Sequence, residues 1–409
     1  MSKYDVIVIG GGAAGMMAAS RASKRNKKVL LVDQKDKLGS KILITGKGRC
    51  NITNGCDIED IIKNTVRNSA FLYSSIYTFS NMDIIKYFND NGLETKEERG
   101  KRIFPASDKA SHVRNAMLND IRKSGVDIRY NTRVSALLIE NGVISGIKTD
   151  EGDIFESASV IVACGGKSYP MTGSDGSGFL LAKNAGHHVT ALQAGLTGLN
   201  CKEHWTQDAM GITLKNVTLT AVYDNRKLYS DIGEMIFTHF GVSGPLVLTA
   251  SRYFLDTGFD KASVIIDLKP GLSDEKLYDR IGRDLLENSK KKFENSLHKL
   301  LPSNLIDPVI SLSGIDREKQ CSQITKEERN RLVYTLKNLT LKVQSGRGFD
   351  EAIVTVGGVD TKEINPSTME SKLVKGLFFA GEIIDIDALT GGFNLTIAFS
   401  TGYLAGDNA

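Results

Sequence analysis

The sequence predicts a mixed α/β protein in which the two ends of the chain build one parallel-sheet domain around a β-rich insertion that carries a small helical lobe. Three observations predict it. The apolar run YDVIVI leads straight into GGGAAG, Gly10 to Gly15, and a small-residue helical stretch, and a second apolar run, VLLVD, then ends at Asp33. From about residue 190 the texture changes to β-type runs such as NVTLTAVYDN and ASVIIDL. Near the C-terminus LFFAGE again reads as a buried strand ending in a glycine and an acid, followed by a glycine pair that opens a helix.

The first element is a dinucleotide clamp of the Rossmann type. Gly10 permits the tight turn off the strand, Gly12 lets backbone approach a pyrophosphate, and Gly15 lets helix and strand pack closely. The helix start, with Ala14 in its first turn, offers free N–H groups and a positive dipole end to phosphates. Asp33 closes the second strand, where a carboxylate accepts from a ribose diol and disfavours a 2′-phosphate. That points to FAD or NAD rather than NADP.

The next segment, LGSKILITGKGRCNITN from Leu38 to Asn54, is loop chemistry. Lys41 and Arg49 can offset phosphate charge and Asn51 can both donate and accept, as suits a segment lying along an extended anionic ligand. The alternative is a surface loop with solvated cations. ERGKRIFPASDKASHV follows, with Arg102 just before Phe104 and Pro105; Arg102 is a candidate for orienting a substrate, and an ordinary surface arginine is the alternative.

VSALLIENGVISGIKTDEGDIFES reads as a hairpin-rich addition to the first α/β half. ASVIVACGG then returns to a buried strand that ends in Gly165 and Gly166, placing backbone at the carboxyl edge of the sheet where such ligands bind. We expect a cofactor-binding domain from residues 1–189 and 355–409, an inserted β domain from 190–268 and 338–354, and a helical lobe over 269–337. Within the insertion, His239 in EMIFTHFGVSGP is a candidate proton carrier, since imidazole changes charge near neutral pH. A structural histidine is the alternative.

At the C-terminus Gly381 and Glu382 are expected near the ribityl phosphate region of a cofactor shared by both chain ends. The helix opening at Gly392, with Asn394 and Leu395 in its first turn, would aim a positive end at the other half. A flavin gains negative charge when it takes up hydride, whereas a nicotinamide asks for no such second clamp. FAD is therefore favoured over NAD.

Composition bounds the partners. Fifty-two basic and 48 acidic side chains give a formal charge of +4, and the basic clusters, such as Lys290 to Lys292, are short. Such a balance does not suggest a nucleic-acid groove. With 41% hydrophobic residues and no run approaching the roughly 18 apolar residues needed to span a bilayer, we expect a soluble, unexported chain and no membrane partner. The five scattered cysteines suit a reducing cytoplasm rather than a disulfide framework. Cys50 and Cys56 are spaced one residue wider than the redox pair of flavin disulfide reductases, which leaves either a redox pair or a loop cysteine beside the cofactor. The histidines, cysteines and acids show no metal-ligand spacing, and no metal is expected.

The strings GKGRCNITN, RIFPASDKAS, VIVACGGKSYPMTGSDGSG, GEMIFTHFGVSGP, VTVGGVDTKEINPSTMESK and GLFFAGEIIDIDALTGGFNLTIAFSTG, in this order across nearly the whole chain, resemble the BaiN/RdsA-type family of FAD-dependent oxidoreductases. The resemblance implies a two-dinucleotide-binding FAD domain interrupted by a β-barrel-like domain with a helical lobe. It also implies FAD contacts at Gly10, Gly12, Gly15, Asp33, Lys41, Arg49, Cys50, Asn51, Gly165, Gly381, Glu382, Gly392 and Asn394. The family shows three successive glycines before its Arg-Cys-Asn; here Lys47 holds the middle place. Members have been linked to amine oxidation with oxygen and to reduction of steroid-like enones. The expected function is hydride transfer between a small organic substrate and FAD, with oxygen or an unsaturated compound as acceptor. One alternative is a reductase of enone-like compounds fed by transiently bound NAD(P)H. Others are a flavoprotein acting on RNA and a non-catalytic FAD-binding protein.

Overall fold

The computed structural model describes residues 2–409, which divide into two compact units, residues 2–194 with 349–409, and residues 195–348.

The first unit is an α/β domain of the Rossmann type. Its strands are β1 (Ser2–Ile9), β2 (Val29–Val32), β3 (Asp127–Arg129), β4 (Val134–Glu140), β5 (Val143–Thr149) and β6 (Ile154–Val162). They lie in the order β3-β2-β1-β6-β5-β4, and Leu377–Phe379 joins as a seventh strand on β6. Pairing is parallel from β3 to β6 and on to Leu377–Phe379, and antiparallel through the β4–β5–β6 meander. Val6, Ile7 and Val8 are fully buried, as a continuous apolar run must be when helices cover both faces.

Helix α1 (Ala13–Ser23) follows β1 and packs along the last helix, Phe393–Asn408. The small residues of both have a steric reason. A Cβ on Gly402 would lie 2.4 Å from the Ala14 carbonyl oxygen, and one on Gly406 would lie 2.3 Å from that of Ala18. The two backbones touch, which brings the carboxyl end of the first strand and the last helix of the chain to one place.

The second unit is built on a closed antiparallel barrel. Its strands are β7 (Leu199–Cys201), β8 (Thr213–Tyr223), β9 (Arg226–Thr238), β10 (Gly241–Ser243), β11 (Ala262–Asp267) and β12 (Leu339–Gly346). They close in the order β7-β10-β9-β8-β11-β12, with β12 returning to β7. β8 shows the expected alternation, with Val217, Leu219 and Ala221 inward. The helices Asp274–Glu287, Ser303–Ser313 and Lys326–Lys337 bury Leu277, Ile281, Leu305, Val309, Leu332 and Leu336 in the barrel's own apolar core.

One buried histidine in the first unit sets a pH dependence. The Ser371 hydroxyl accepts from the amides of Leu373 and Val374, so its hydrogen is left for Nε2 of His187, 2.8 Å away. The proton on the neutral ring therefore sits on Nδ1, which is buried with no hydrogen-bond partner. Burial pushes the imidazole pKa down, with Glu363 opposing the shift. The unfolded chain then binds more protons than the native one below about pH 6.5, and the stability owed to a neutral His187 is lost as pH falls from there. In urea unfolding, the stability advantage of wild type over His187→Gln is expected to shrink between about pH 7.5 and 5.5, by at most about 1.4 kcal/mol per pH unit. An advantage that stays constant would refute the neutral ring.

Candidate functional site

The carboxyl ends of the parallel strands carry the residues that can hold a dinucleotide. At the end of β1, Gly10 (φ 100°) donates to the Val32 carbonyl at 2.8 Å, and a Cβ there would lie 2.6 Å from the Ala163 oxygen. The turn is thus closed by strands β2 and β6 at once. A Cβ on Gly15 would fall 1.8 Å from the Gly10 carbonyl oxygen, whereas one on Gly12 would meet nothing within 4 Å. Gly12 caps α1 without any side-chain hydrogen bond, and no acid lies in the first turn. The first-turn N–H groups, Ala14 included, therefore face the open space above Gly12 with no side chain to satisfy them.

Asp33 lies beside this turn. One carboxylate oxygen accepts from the Gly11 amide at 2.7 Å and the other from the Lys35 amide at 2.8 Å. Each oxygen keeps a lone pair, which is what a ribose diol requires. Burial pushes this carboxyl above the usual aspartate range, against the two amides that favour its charge.

A second cradle is built from the last helix. Gly392 (φ 99°) is its N-cap, again with no side-chain cap and no acid in the first turn, and a Cβ there would lie 2.5 Å from the Thr53 backbone. Asn54, buried behind it, donates from Nδ2 to the carbonyls of Gly100 and Gly391, both at 3.0 Å, while its Oδ1 accepts from the Cys56 amide. The Thr53 and Thr396 hydroxyls meet at 2.7 Å. Two helices thus present uncapped starts in one unit, and Gly381 (φ 78°) has its amide bonded to the Thr401 hydroxyl and its Cα face against Ala14.

Around Glu382 the structure joins segments far apart in sequence. One carboxylate oxygen accepts from the Ser168 hydroxyl at 2.6 Å and the Thr355 amide at 2.7 Å, and the other accepts from Lys41 Nζ at 2.6 Å. Burial would raise the Glu382 pKa, but Lys41 with the Ser168 and Thr355 hydrogen bonds holds it below the usual glutamate range. A Cβ on Gly166 would strike both Thr355 and Glu382. Gly165 (φ 73°) faces the Ser174 hydroxyl.

The loop before Cys50 takes a left-handed path at Gly46, Lys47 and Gly48, with φ of 55°, 58° and 83°. Lys47 so adopts a glycine conformation, at a cost of roughly 1 kcal/mol. Arg49 is not a free cation. Its guanidinium binds Glu98 and Asp108 and lies 4.2 Å over the Phe104 ring, and Lys96 binds Asp108 at 2.6 Å. Hydrogen bonds from Arg49 hold Glu98, and those from Lys96 and Arg49 hold Asp108, below the usual carboxylate range. The charge of Arg49 is balanced by Glu98 and Asp108, so it acts here as an anchor for the loop. Asn51 keeps a buried Oδ1 with no partner.

Cys50 is fully buried at φ 61°, and burial pushes its thiol up to about 12; the Cys56 thiol is also raised, chiefly by burial. All five cysteines are free, and neither of this pair holds thiolate near neutrality. Asn394 turns its amide to the backbone of Ala388, accepting from its N–H at 3.0 Å and donating to its carbonyl at 2.7 Å, while Leu395 supplies a first-turn N–H. Arg102 is exposed, donates to the Arg99 carbonyl at 3.0 Å, and lies in the first unit. His239 is exposed in the turn between β9 and β10 of the second unit, its ring edge-on to Phe240.

Sequence reading missed Ser168, Thr355, Thr53 and Asn54. Asn54 stood inside the RCNITN string, but nothing local marks which backbone groups its amide must satisfy. Among the described residues no group of histidines, cysteines and acids could hold a metal, and no helix is long and apolar enough to cross a membrane.

The open space above Gly12, the two uncapped helix starts, the lone pairs of Asp33 and the orphaned Asn51 oxygen fit an extended dinucleotide with a charge-accepting ring at its far end. Residues 4–408 match the family model described as HI0933-like protein Rossmann domain. A 3-dehydro-bile acid delta(4,6)-reductase of Clostridium scindens is 33% identical over 99% of this chain and 98% of its own. A ribosomal RNA dihydrouridine synthase of Haemophilus influenzae is 31% identical, with 98% of each chain covered. Among solved structures, a 3-ketosteroid delta1-dehydrogenase of Sterolibacterium denitrificans shares the fold with a TM-score of 0.54 at 13% identity, over 99% of both chains.

Proposed function

Since this chain belongs to the HI0933-like Rossmann family and is an FAD-dependent oxidoreductase, we propose that it reduces a carbon–carbon double bond conjugated to a carbonyl. The observation that carries this reading is the second uncapped helix start at Gly392. A cluster of free N–H groups with no acid in its first turn stabilises the anionic charge of a reduced flavin ring and so favours uptake of hydride from a donor, the half-reaction that loads the flavin. The acceptor class takes its support from the two relatives. A delta(4,6)-reductase of a 3-dehydro bile acid and a dihydrouridine synthase both name the addition of hydrogen to an alkene conjugated with a carbonyl.

When bound, FAD supplies the two-electron hydride chemistry. The chain's part is to hold it: the α1 start for the pyrophosphate, Asp33 for the ribose, and Glu382 for a hydroxyl of the ribityl chain. Overall, hydride goes to the alkene carbon remote from the carbonyl and a proton to the adjacent one. Arg102 and His239 are the proposed residues for orienting the carbonyl and supplying that proton. The hydride comes from a transiently bound NADH or NADPH, since the sequence holds no second GxGxxG unit for a docked nicotinamide. A second reading, reduction of a uridine in RNA, takes support from the dihydrouridine synthase relatives and from the exposed Tyr73–Tyr77 pair, whose rings lie 6.3 Å apart and nearly parallel, as a platform for a base.

The test is an anaerobic titration of the purified holoprotein. The visible flavin band is expected to bleach with NADH or NADPH and to return when a 3-oxo-4,6-diene steroid is added. Return with a uridine-containing RNA and not with the steroid would move the assignment to the second reading. A reduced flavin that only oxygen reoxidises would defeat both.

A further inference from the structure

Lys41 is one of three cations between Leu38 and Asn54, yet its position gives it a different task from phosphate binding. Its Nζ contacts the Ser168 hydroxyl and Glu382, both at 2.6 Å. The Lys41 and Glu382 side chains are 22% and 21% exposed, so both can be reached from solvent. An ammonium has three protons and a carboxylate about four acceptor sites. Ser168 and Glu382 take two of the protons, while Ser168, Thr355 and Lys41 take three of the acceptor sites. One proton on Nζ and one lone pair on the adjacent carboxylate oxygen are left side by side. That is a donor and an acceptor at one spot, which matches a single alcohol, since a hydroxyl donates and accepts at once.

We propose that Lys41 is a positioning residue that keeps Glu382 ionised and aimed, so that the pair binds one hydroxyl of the cofactor's ribityl chain, with Ser168 and Thr355 fixing the carboxylate in place. The inference rests on Glu382 lying at the cofactor. Of the segments packed here, the loop after β6 contributes Ser168, Val354–Val356 contributes Thr355, α1 contributes Ala14, and the last helix contributes Thr401 and Ala398, none of them charged. Lys41, from the short helix Ser40–Ile44, is the charged group acting on Glu382 among the described residues. Thr355 is braced in turn: its hydroxyl accepts from the amides of Lys167 and Ser168 at 2.7 and 3.1 Å. With Lys41 removed, the carboxylate loses its counter-ion, its pKa rises, and protonation as pH falls removes the acceptor that the hydroxyl needs.

The experiment measures FAD affinity of the deflavinated full chain by quenching of flavin fluorescence from about pH 5.5 to 8.5, for wild type, Lys41→Met, Glu382→Gln and the double variant, with urea unfolding of each apoprotein to report folding. Wild type and Glu382→Gln are expected to give flat profiles, the second displaced to weaker binding. Lys41→Met is expected to weaken progressively as pH falls, by up to tenfold per pH unit, the limit for one proton. The double variant is expected to be flat again. A Lys41→Met profile parallel to wild type overturns the role of Lys41. A Glu382→Gln affinity equal to wild type overturns the placement of Glu382 at the cofactor. Should Lys41→Met fail to fold, Ser168→Ala carries the test, since it removes the hydroxyl hydrogen bond that fixes the carboxylate and is expected to weaken FAD binding without tilting the pH profile as steeply. An affinity equal to wild type in that variant would overturn the proposal.

Discussion

Gly12→Val is expected to give a folded protein that takes up no FAD, while Gly15→Ala is expected to damage the fold itself. The two glycines are three residues apart in one turn and have opposite surroundings. At Gly12 the backbone is extended (φ −80°), which valine accepts, and a Cβ meets nothing within 4 Å. The protein has left that space for something else. A branched side chain there costs the apoprotein no more than about 1 kcal/mol as a poorer N-cap, yet fills the volume through which a pyrophosphate must pass. FAD affinity should fall at least roughly 100-fold, about 2.7 kcal/mol. At Gly15 the added carbon would sit 1.8 Å from the Gly10 oxygen, so α1 must lift off β1. A cost of about 3 kcal/mol or more follows for forcing an atom against fixed backbone. Urea unfolding of the two apoproteins and equilibrium dialysis with FAD separate the effects. Tight FAD binding by Gly12→Val would move the cofactor away from this turn.

Asn54→Leu is the second large effect. Leucine keeps the volume and removes the amide, leaving the carbonyls of Gly100 and Gly391 and the Cys56 amide without their partner at a part-buried turn. Each such group costs about 1–3 kcal/mol when water does not reach it, so a loss of about 3 kcal/mol in total is expected. It should appear as a lower urea midpoint with an unchanged slope, together with faster flavin release on dilution, because Gly391 is the residue just before the N-cap of the last helix. A loss below about 1 kcal/mol would show that the amide does not hold this turn.

Which of these features the sequence disclosed follows from how local their causes are. The fingerprint glycines were legible because contact between backbones writes itself into residue identity: only glycine fits Gly10 and Gly15. Asp33 was legible for the same reason, since the strand before it fixes where its carboxylate emerges. The Lys41–Glu382 pair was not, although both residues were singled out. Their partners lie 341 residues apart, and a spacing pattern does not say which of several polar groups a folded chain will bring together. Arg49 shows the same limit from the other side. Its sequence neighbours are glycines, a lysine, a cysteine and an asparagine, while the carboxylates that claim it come from a hairpin and a turn about 50 and 59 residues later. The β character of the insertion was readable from its runs, but its closure into a barrel depends on the register by which β12 returns to β7, with an irregularity at Asn200 and Cys201.

The contact between α1 and the last helix governs the order in which this protein can be made. Arg21 and Asp407, paired across those two helices, are separated by 386 residues, and Gly402 meets Ala14 over nearly the same span. Contacts of such separation form late and slowly. During synthesis the first strand and helix have to wait for the last helix, while the barrel unit emerges between them. FAD finds no complete seat on the nascent chain until the helix Phe393–Asn408 has left the ribosome. Cofactor capture therefore has to wait until the last helix has docked on α1.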